Sequence, residues 1–221
     1  MIDYQSVFNR KRRENLQIVK SQIRDGVVID EKLSKKISNH VERWSGIITE
    51  EDIINDFMRT RTVPTFLAKD PSKQNLTEQI AKEYLERFPE IETVNILNKS
   101  GQNSLYIIKG KLDSKDNFTA SQIKGHKTID FKIKLTNGKY IMAAHKYTKE
   151  TGGAQDNQQN DLLNFAKNAD QYTGNEYLFA AIGDGEYYSE DKLRSMSEEA
   201  PSVIFCNSDS LVEELRRRSL L

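Results

Sequence analysis

The stretch Lys127–Asp161, KTIDFKIKLTNGKYIMAAHKYTKETGGAQDNQQND, constrains the fold of this chain more than any other. Ile129, Phe131, Ile133 and Leu135 alternate with Asp130, Lys132 and Lys134. That period of two places alternate side chains on opposite faces of a β-strand. Thr136-Asn137-Gly138 supplies a turn, because an Asn-Gly pair tolerates the positive φ of a tight hairpin. Tyr140–Tyr147 reads as the return strand, with Tyr140, Met142, Ala144 and Lys146 on one face. The alternation predicts Asp130 on the polar face, and pairing across the turn brings it toward residues 144–146. A glycine-containing polar loop follows, then a helix from about Asp156 to Tyr172.

The flanking sequence predicts what this hairpin packs against. Residues 1–70 read as a helical segment. One helix is expected over Asn9–Ile23, broken by Gly26. A second, capped by Asp30, runs through Trp44, and a third is capped by Thr49 with Glu50, Glu51 and Asp52 in its positive first turn. Arg59 and Arg61 are expected in the loop that leads out through Pro64. Residues 71–221 form the expected catalytic core. A helix is predicted from Asn75 to near Phe88, and strands over Thr93–Leu97 and Leu105–Ile108. Tyr177–Ile182 and Val203–Cys206 are continuous apolar runs of strand length, as in a sheet covered on both faces. A helix over Asp209–Arg218 closes the chain. The expected fold class is α/β, a mixed sheet flanked by helices, with an N-terminal helical segment that serves dimerisation or DNA wrapping.

Lysine plus arginine (33) balances aspartate plus glutamate (33), so net charge does not select a nucleic-acid partner, although a local cleft can still be basic. With one cysteine, Cys206, an intrachain disulfide is impossible, and one cysteine with three histidines argues against a zinc cluster. The opening residues MIDYQSVFNRKRRENL lack the apolar run of a signal peptide, and no apolar run is long enough to span a bilayer. The expectation is a soluble protein of the reducing cytoplasm, with no membrane partner.

An aspartate and a lysine at neighbouring strand ends, beside a second acid, make a metal-dependent hydrolytic site. Two carboxylates hold Mg2+, the metal polarises a phosphodiester oxygen, and the lysine stabilises charge or orients the attacking water. An aspartate, a hairpin, acid-x-lysine on the next strand and then a helix resembles the PD-(D/E)XK nuclease superfamily, whose best-known members are type II restriction endonucleases. The likeness covers roughly residues 72–183. Asp130 matches the first aspartate and Lys146 the motif lysine, sixteen residues on. Two departures stand out. Ile129 precedes the aspartate in place of proline, and Ala143-Ala144-His145-Lys146 stands where Ala-Glu-His-Lys completes the motif. Ala144 is then either a replacement for a glutamate, trapping an uncleaved DNA complex, or the mark of a naturally inactive site.

The resemblance implies Mg2+-dependent hydrolysis of double-stranded DNA leaving a 5′-phosphate. It implies metal ligands at Asp130, position 144, the main-chain carbonyl of His145 and a first-helix glutamate, for which Glu78 is best placed. Two symmetric strands to cut imply a homodimer. Segments leaving the motif strand often enter DNA in such enzymes. Lys149, Thr151, Gly152, Gly153, Ala154, Gln155, Asn157 and Gln158 are therefore candidate DNA contacts, with Arg59 and Arg61 on phosphates; Asn and Gln side chains suit adenine edges. The alternatives are another nuclease of the same fold, such as a junction resolvase or repair nuclease, and a catalytically silent DNA-binding protein with a native Ala144.

Each candidate also has a plainer reading. Asp130 and Lys146 make an ordinary cross-strand pair. Asn75-x-x-Glu78 is a capping box. Gly152-Gly153 lacks the Walker lysine and is a plain loop, and Asp156 or Asn157 is a helix cap. Arg10–Arg13 is a solvated helix end, His126 and His145 are incidental, and Asp184-Gly185-Glu186 lacks the spacing of a calcium loop.

Overall fold

The computed structural model describes residues 2–60, 62, 65–69, 75–149 and 153–221, the side chains of residues 65 and 153–155 excepted. The chain divides into two compact units, Asp3–Leu76 and Thr77–Leu221.

The first unit is helical. Helix α1 spans Tyr4–Ser21, five residues earlier than its apolar spacing indicates, because Asp3 caps it by accepting from the Ser6 amide. A two-stranded hairpin follows, β1 (Ile23–Arg24) and β2 (Val27–Val28). Asp25 (φ +49°) and Gly26 (φ +79°) make its two-residue turn, the geometry that matches strand twist, so Gly26 bends the chain into a hairpin instead of merely ending a helix. Helix α2 spans Glu31–Arg43 and is capped by Asp30. Helix α3 spans Glu50–Thr60, with Thr49 and Asp52 bonding one another's amides. Leu33, Ile37, Ile53 and Phe57 join Val19, Ile23 and Leu67 in its core. Large exposed apolar side chains gather in this unit, among them Ile18, Val27, Trp44 and Ile47.

The second unit is a mixed α/β sandwich, as its alternation of elements predicts. Its elements are α4 (Leu76–Leu85), β3 (Ile91–Ile96), β4 (Leu105–Ile108), β5 (Lys111–Ser114), α5 (Ala120–Ile123), β6 (Phe131–Leu135), β7 (Tyr140–Tyr147), α6 (Gly153–Ala169), β8 (Tyr177–Asp184), α7 (Glu190–Glu198), β9 (Ile204–Cys206) and α8 (Leu211–Arg217). The five-stranded sheet has the order β3-β6-β7-β8-β9. The first three strands are antiparallel, and β7, β8 and β9 are parallel. On one face α6 and α7 cover Met142, Ala144, Phe179, Ala181 and Phe205. On the other, α4 and α8 cover Phe131, Ile133, Ile141, Ala180 and Ile182. Strand β8 is buried on both faces, which is why its Tyr177–Ile182 stretch is apolar.

Several boundaries differ from expectation for local reasons. Leu105–Ile108 pairs with β5 in a separate hairpin, turned by Lys109 (φ +48°) and Gly110 (φ +74°). Helix α7, capped by Ser189, has only Leu193 and Met196 buried, too sparse a stripe to register as periodic. The β6–β7 turn uses a positive φ at Gly138 alone (+87°), with the Gly138 amide donating to Leu135. It is a three-residue loop in which only the glycine is left-handed. No helix among the described residues is long and apolar enough to cross a membrane.

Candidate active site

The alternation that locates the hairpin breaks at Asp130. Ile129 lies in the core beneath α6, whereas Phe131, two residues on, lies in the core on the opposite face. The Asp130 amide donates to the carbonyl of Ala143, the residue that register pairs with Phe131. The strand therefore steps out of its ladder at this residue. Asp130 is not on a solvated polar face, as period two alone indicates; its side chain is 1% exposed.

Its carboxylate is held on one side only. Oδ2 accepts from the His145 amide at 2.6 Å and from Lys127 Nζ at 2.5 Å. Oδ1 is buried with no hydrogen-bond partner. Burial pushes the pKa of the Lys127 ammonium down; Asp130 draws it back up, and the charges of Lys146 and Lys99 press it down again. Lys146 sits two residues beyond Ala144 on the same face of β7, and its Nζ meets Asp161 Oδ2 of α6 at 2.8 Å. Lys99, just after β3, is ion-paired to the buried Glu78 of α4. Burial pushes the Glu78 carboxyl up, but Lys99 and Thr77 outweigh it, leaving its pKa below the ordinary value of 4.5. Three acid–lysine pairs, Lys99–Glu78, Lys127–Asp130 and Lys146–Asp161, thus form on α4, α6 and the segments around β3, β6 and β7.

The pairing of β6 with β7 ends at Phe131 and Ala143, and Ala144, the next residue of β7, has Ala181 of β8 as its parallel neighbour. The Ala144 methyl is fully buried in the core under α6. His145 points the other way, against Phe131, with its Nε2 hydrogen-bonded to Asp184 Oδ2 at 3.0 Å. Asp184 also accepts from the amide and hydroxyl of Ser208. The histidine is thus fixed by the ends of β8 and β9, and its main-chain amide holds Asp130.

Other expected site residues fall elsewhere. Asn75 has φ +52°, not the extended conformation of an N-cap, and Glu78 turns to Lys99 and Thr77, so the capping box does not form. Arg59 is in the last turn of α3, not in a loop; its side chain is 80% exposed and paired with Asp56. Arg61, Thr151 and Gly152 lie outside the described residues. Gly153, Ala154, Gln155, Asn157 and Gln158 are in α6, which starts three residues before the expected caps Asp156 and Asn157. Asn157 is exposed, while Gln158 Oε1 accepts from the buried Thr148 hydroxyl. The amide-rich stretch is therefore the opening turns of a helix, tied back to the end of β7. Lys149 is exposed beside it.

Asp130 has one uncommitted oxygen, Ala144 offers none, Glu78 is engaged by Lys99, and an ammonium already sits on Asp130. Among the described residues no group of three acidic, histidine or cysteine side chains converges as a metal site. Lys127, Lys99 and Asp161 are the participants that sequence reasoning missed. Only Lys127 carried a signal, an ammonium three residues before the key aspartate in a stretch too irregular to assign to a face. Compared with family models, curated proteins and solved structures, the chain matches none.

Proposed function

We propose that this chain is a type II restriction endonuclease-like protein of the PD-(D/E)XK type that binds double-stranded DNA and, with alanine at position 144, does not cut it. One observation carries the reading: Asp130, buried with one oxygen unpartnered, accepts from the main-chain amide of His145, the residue between position 144 and Lys146, at one end of an antiparallel pair whose second strand runs through a helix into a parallel neighbour. That is the arrangement the resemblance calls for. A sheet edge of unrelated purpose has no need to bury an aspartate there with an unsatisfied oxygen.

Within this reading, Lys146 is held toward the site by Asp161, and the Asp184–His145 link fixes the main chain that positions Asp130. Lys149 and Asn157, exposed where β7 leads into α6, are the nearest described candidates for DNA contact. The helical unit adds a cleft of about 490 Å³ lined by Lys11, Lys32, Lys36 and Lys69, whose charge suits phosphate. Its exposed Ile18, Val27, Trp44 and Ile47 suit a homodimer contact.

Ala144→Glu tests the reading. With Mg2+ and mixed-sequence double-stranded DNA, the folded variant is expected to cleave and leave 5′-phosphate ends, while the chain as given binds selectively without metal. A folded glutamate variant that never cleaves sinks the trapped-enzyme reading, and a parent that does not bind DNA sinks both readings. The second reading, a silent DNA-binding protein with native Ala144, is favoured by the close packing of that methyl against β8 and α6. It is expected to bind DNA and to stay inert with glutamate in place.

A further inference from the structure

We propose that Lys127 is the resident cation of this site, its ammonium holding Asp130 in place of a divalent metal, so that the chain as given takes up no Mg2+ or Mn2+ there. The inference rests on reading Asp130 as the acid of a nuclease-type centre.

A carboxylate with no exposed surface cannot persist as an anion without a counter-charge. Asp130 has one, and it comes from three residues upstream. The Lys127 side chain is 11% exposed, and its Nζ meets Oδ2 at 2.5 Å. Oδ2 also takes the His145 amide, so the lysine completes that oxygen's coordination. A metal ion at Asp130 needs further oxygen ligands, and the neighbouring side chain at 144 is a methyl group. Lys99 and Lys146, close enough to disfavour the Lys127 charge, disfavour any added cation as well. The missing carboxylate and the inward lysine are thus complementary: the first takes away one ligand of a metal, and the second replaces its charge.

The test is thermal unfolding of the full chain with and without millimolar Mg2+ or Mn2+, at matched ionic strength. The parent midpoint is expected to stay unchanged by metal. Lys127→Met leaves Asp130 buried and unpaired, and is expected to lower the midpoint by roughly 6–20 °C without metal. Mn2+ is then expected to recover part of the loss, because the ion supplies the positive charge that Asp130 has lost, with water completing its ligands. Adding Asp130→Asn to Lys127→Met is expected to recover stability without metal and to abolish the response to Mn2+. If Lys127→Met fails to fold alone, refolding in Mn2+ supports the inference, and failure to fold with metal overturns it.

A parent stabilised by metal in an Asp130-dependent way overturns it, as does a Lys127→Met variant indifferent to Mn2+. None of these readouts uses cleavage. A metal-responsive Lys127→Met beside an inert Ala144→Glu leaves the inference standing and removes the nuclease reading. An active Ala144→Glu beside an unresponsive Lys127→Met does the reverse.

Discussion

Asp184 carries a testable share of the site's rigidity. It is 4% exposed and accepts from the Ser208 amide at 2.8 Å, the Ser208 hydroxyl at 2.7 Å and, across β7, bonds His145 Nε2 at 3.0 Å. Asp184→Ala removes these contacts from a buried region. A buried polar group left unpaired costs about 1–3 kcal/mol, and the Ser208 hydroxyl can rotate to limit its own loss, so the expected destabilisation is about 3–5 kcal/mol. Asp184→Asn behaves differently. Its carbonyl still accepts from the Ser208 amide, and its NH2 faces two groups able to reverse roles, a hydroxyl and an imidazole. The expected cost is about 1–2 kcal/mol. The readout must follow this unit, and Trp44, the only tryptophan, lies in the other one. Cys206 serves instead: it is fully buried in β9, burial pushes its thiol pKa well up, and it becomes reactive only when the sandwich opens. Urea titration followed by thiol labelling gives the two costs. An alanine variant within about 1 kcal/mol of the parent refutes the hydrogen-bond accounting. An asparagine variant as costly as alanine shows that the negative charge, not the hydrogen-bond inventory, is what the network needs.

Two further outcomes follow from local geometry. Glu78 has a folded pKa below its ordinary 4.5, so its contribution to stability is present above that value and lost as pH falls through the folded pKa; the stability gap between the parent and Glu78→Gln is therefore expected to be widest near neutral pH and to shrink in acid, and a gap that grows in acid reverses the assignment. Gly185 has φ +96°, and a Cβ there lies 2.2 Å from the Thr148 carbonyl oxygen, whereas at Gly138 (φ +87°) a Cβ meets nothing within 4 Å. Gly138→Ala is expected to cost about 1–2 kcal/mol from its backbone conformation alone and Gly185→Ala about 2–4 kcal/mol, and equal costs in chemical denaturation refute the clash.

What the sequence revealed of this fold was its periodic parts. The 133/135 and 141/143 alternation, the apolar run of β8 and the stripe of α6 each bury a repeating face, and repetition is what a reader of sequence detects. Residues 23–28 and 109–114 escaped because a two- or four-residue strand has too few positions to show a period. At the site the difficulty was of another kind. Period two put Asp130 on a polar face, and the chain leaves its ladder at that residue, a step that no local pattern encodes. The partners of Asp130, Glu78 and Lys146 are Lys127, Lys99 and Asp161, brought in by an irregular segment, a turn and a helix face. Only the first is near its partner in sequence. The amide run 155–160 misled because its composition suits a recognition loop, while its position, a few residues from the end of β7, left room only for a helix start.

The charges of the cluster explain why one methyl group matters so much. Glu78, Asp130 and Asp161 face Lys99, Lys127 and Lys146, three negative against three positive. A dication brought to this balanced set meets no net attraction, and a cation pair 4 Å apart repels by about 4 kcal/mol per unit charge at an effective dielectric of about 20. Against a divalent ion the Lys127 ammonium alone doubles that figure. A glutamate at 144 changes the count to four against three. The site then carries a net negative charge, with a second carboxylate on the strand whose His145 amide holds Asp130. The same residue change that supplies a ligand therefore also tips a balanced set of charges to net negative. For that reason Ala144→Glu is expected to convert a centre closed by its own lysine into one that draws a metal, without any other side chain being altered.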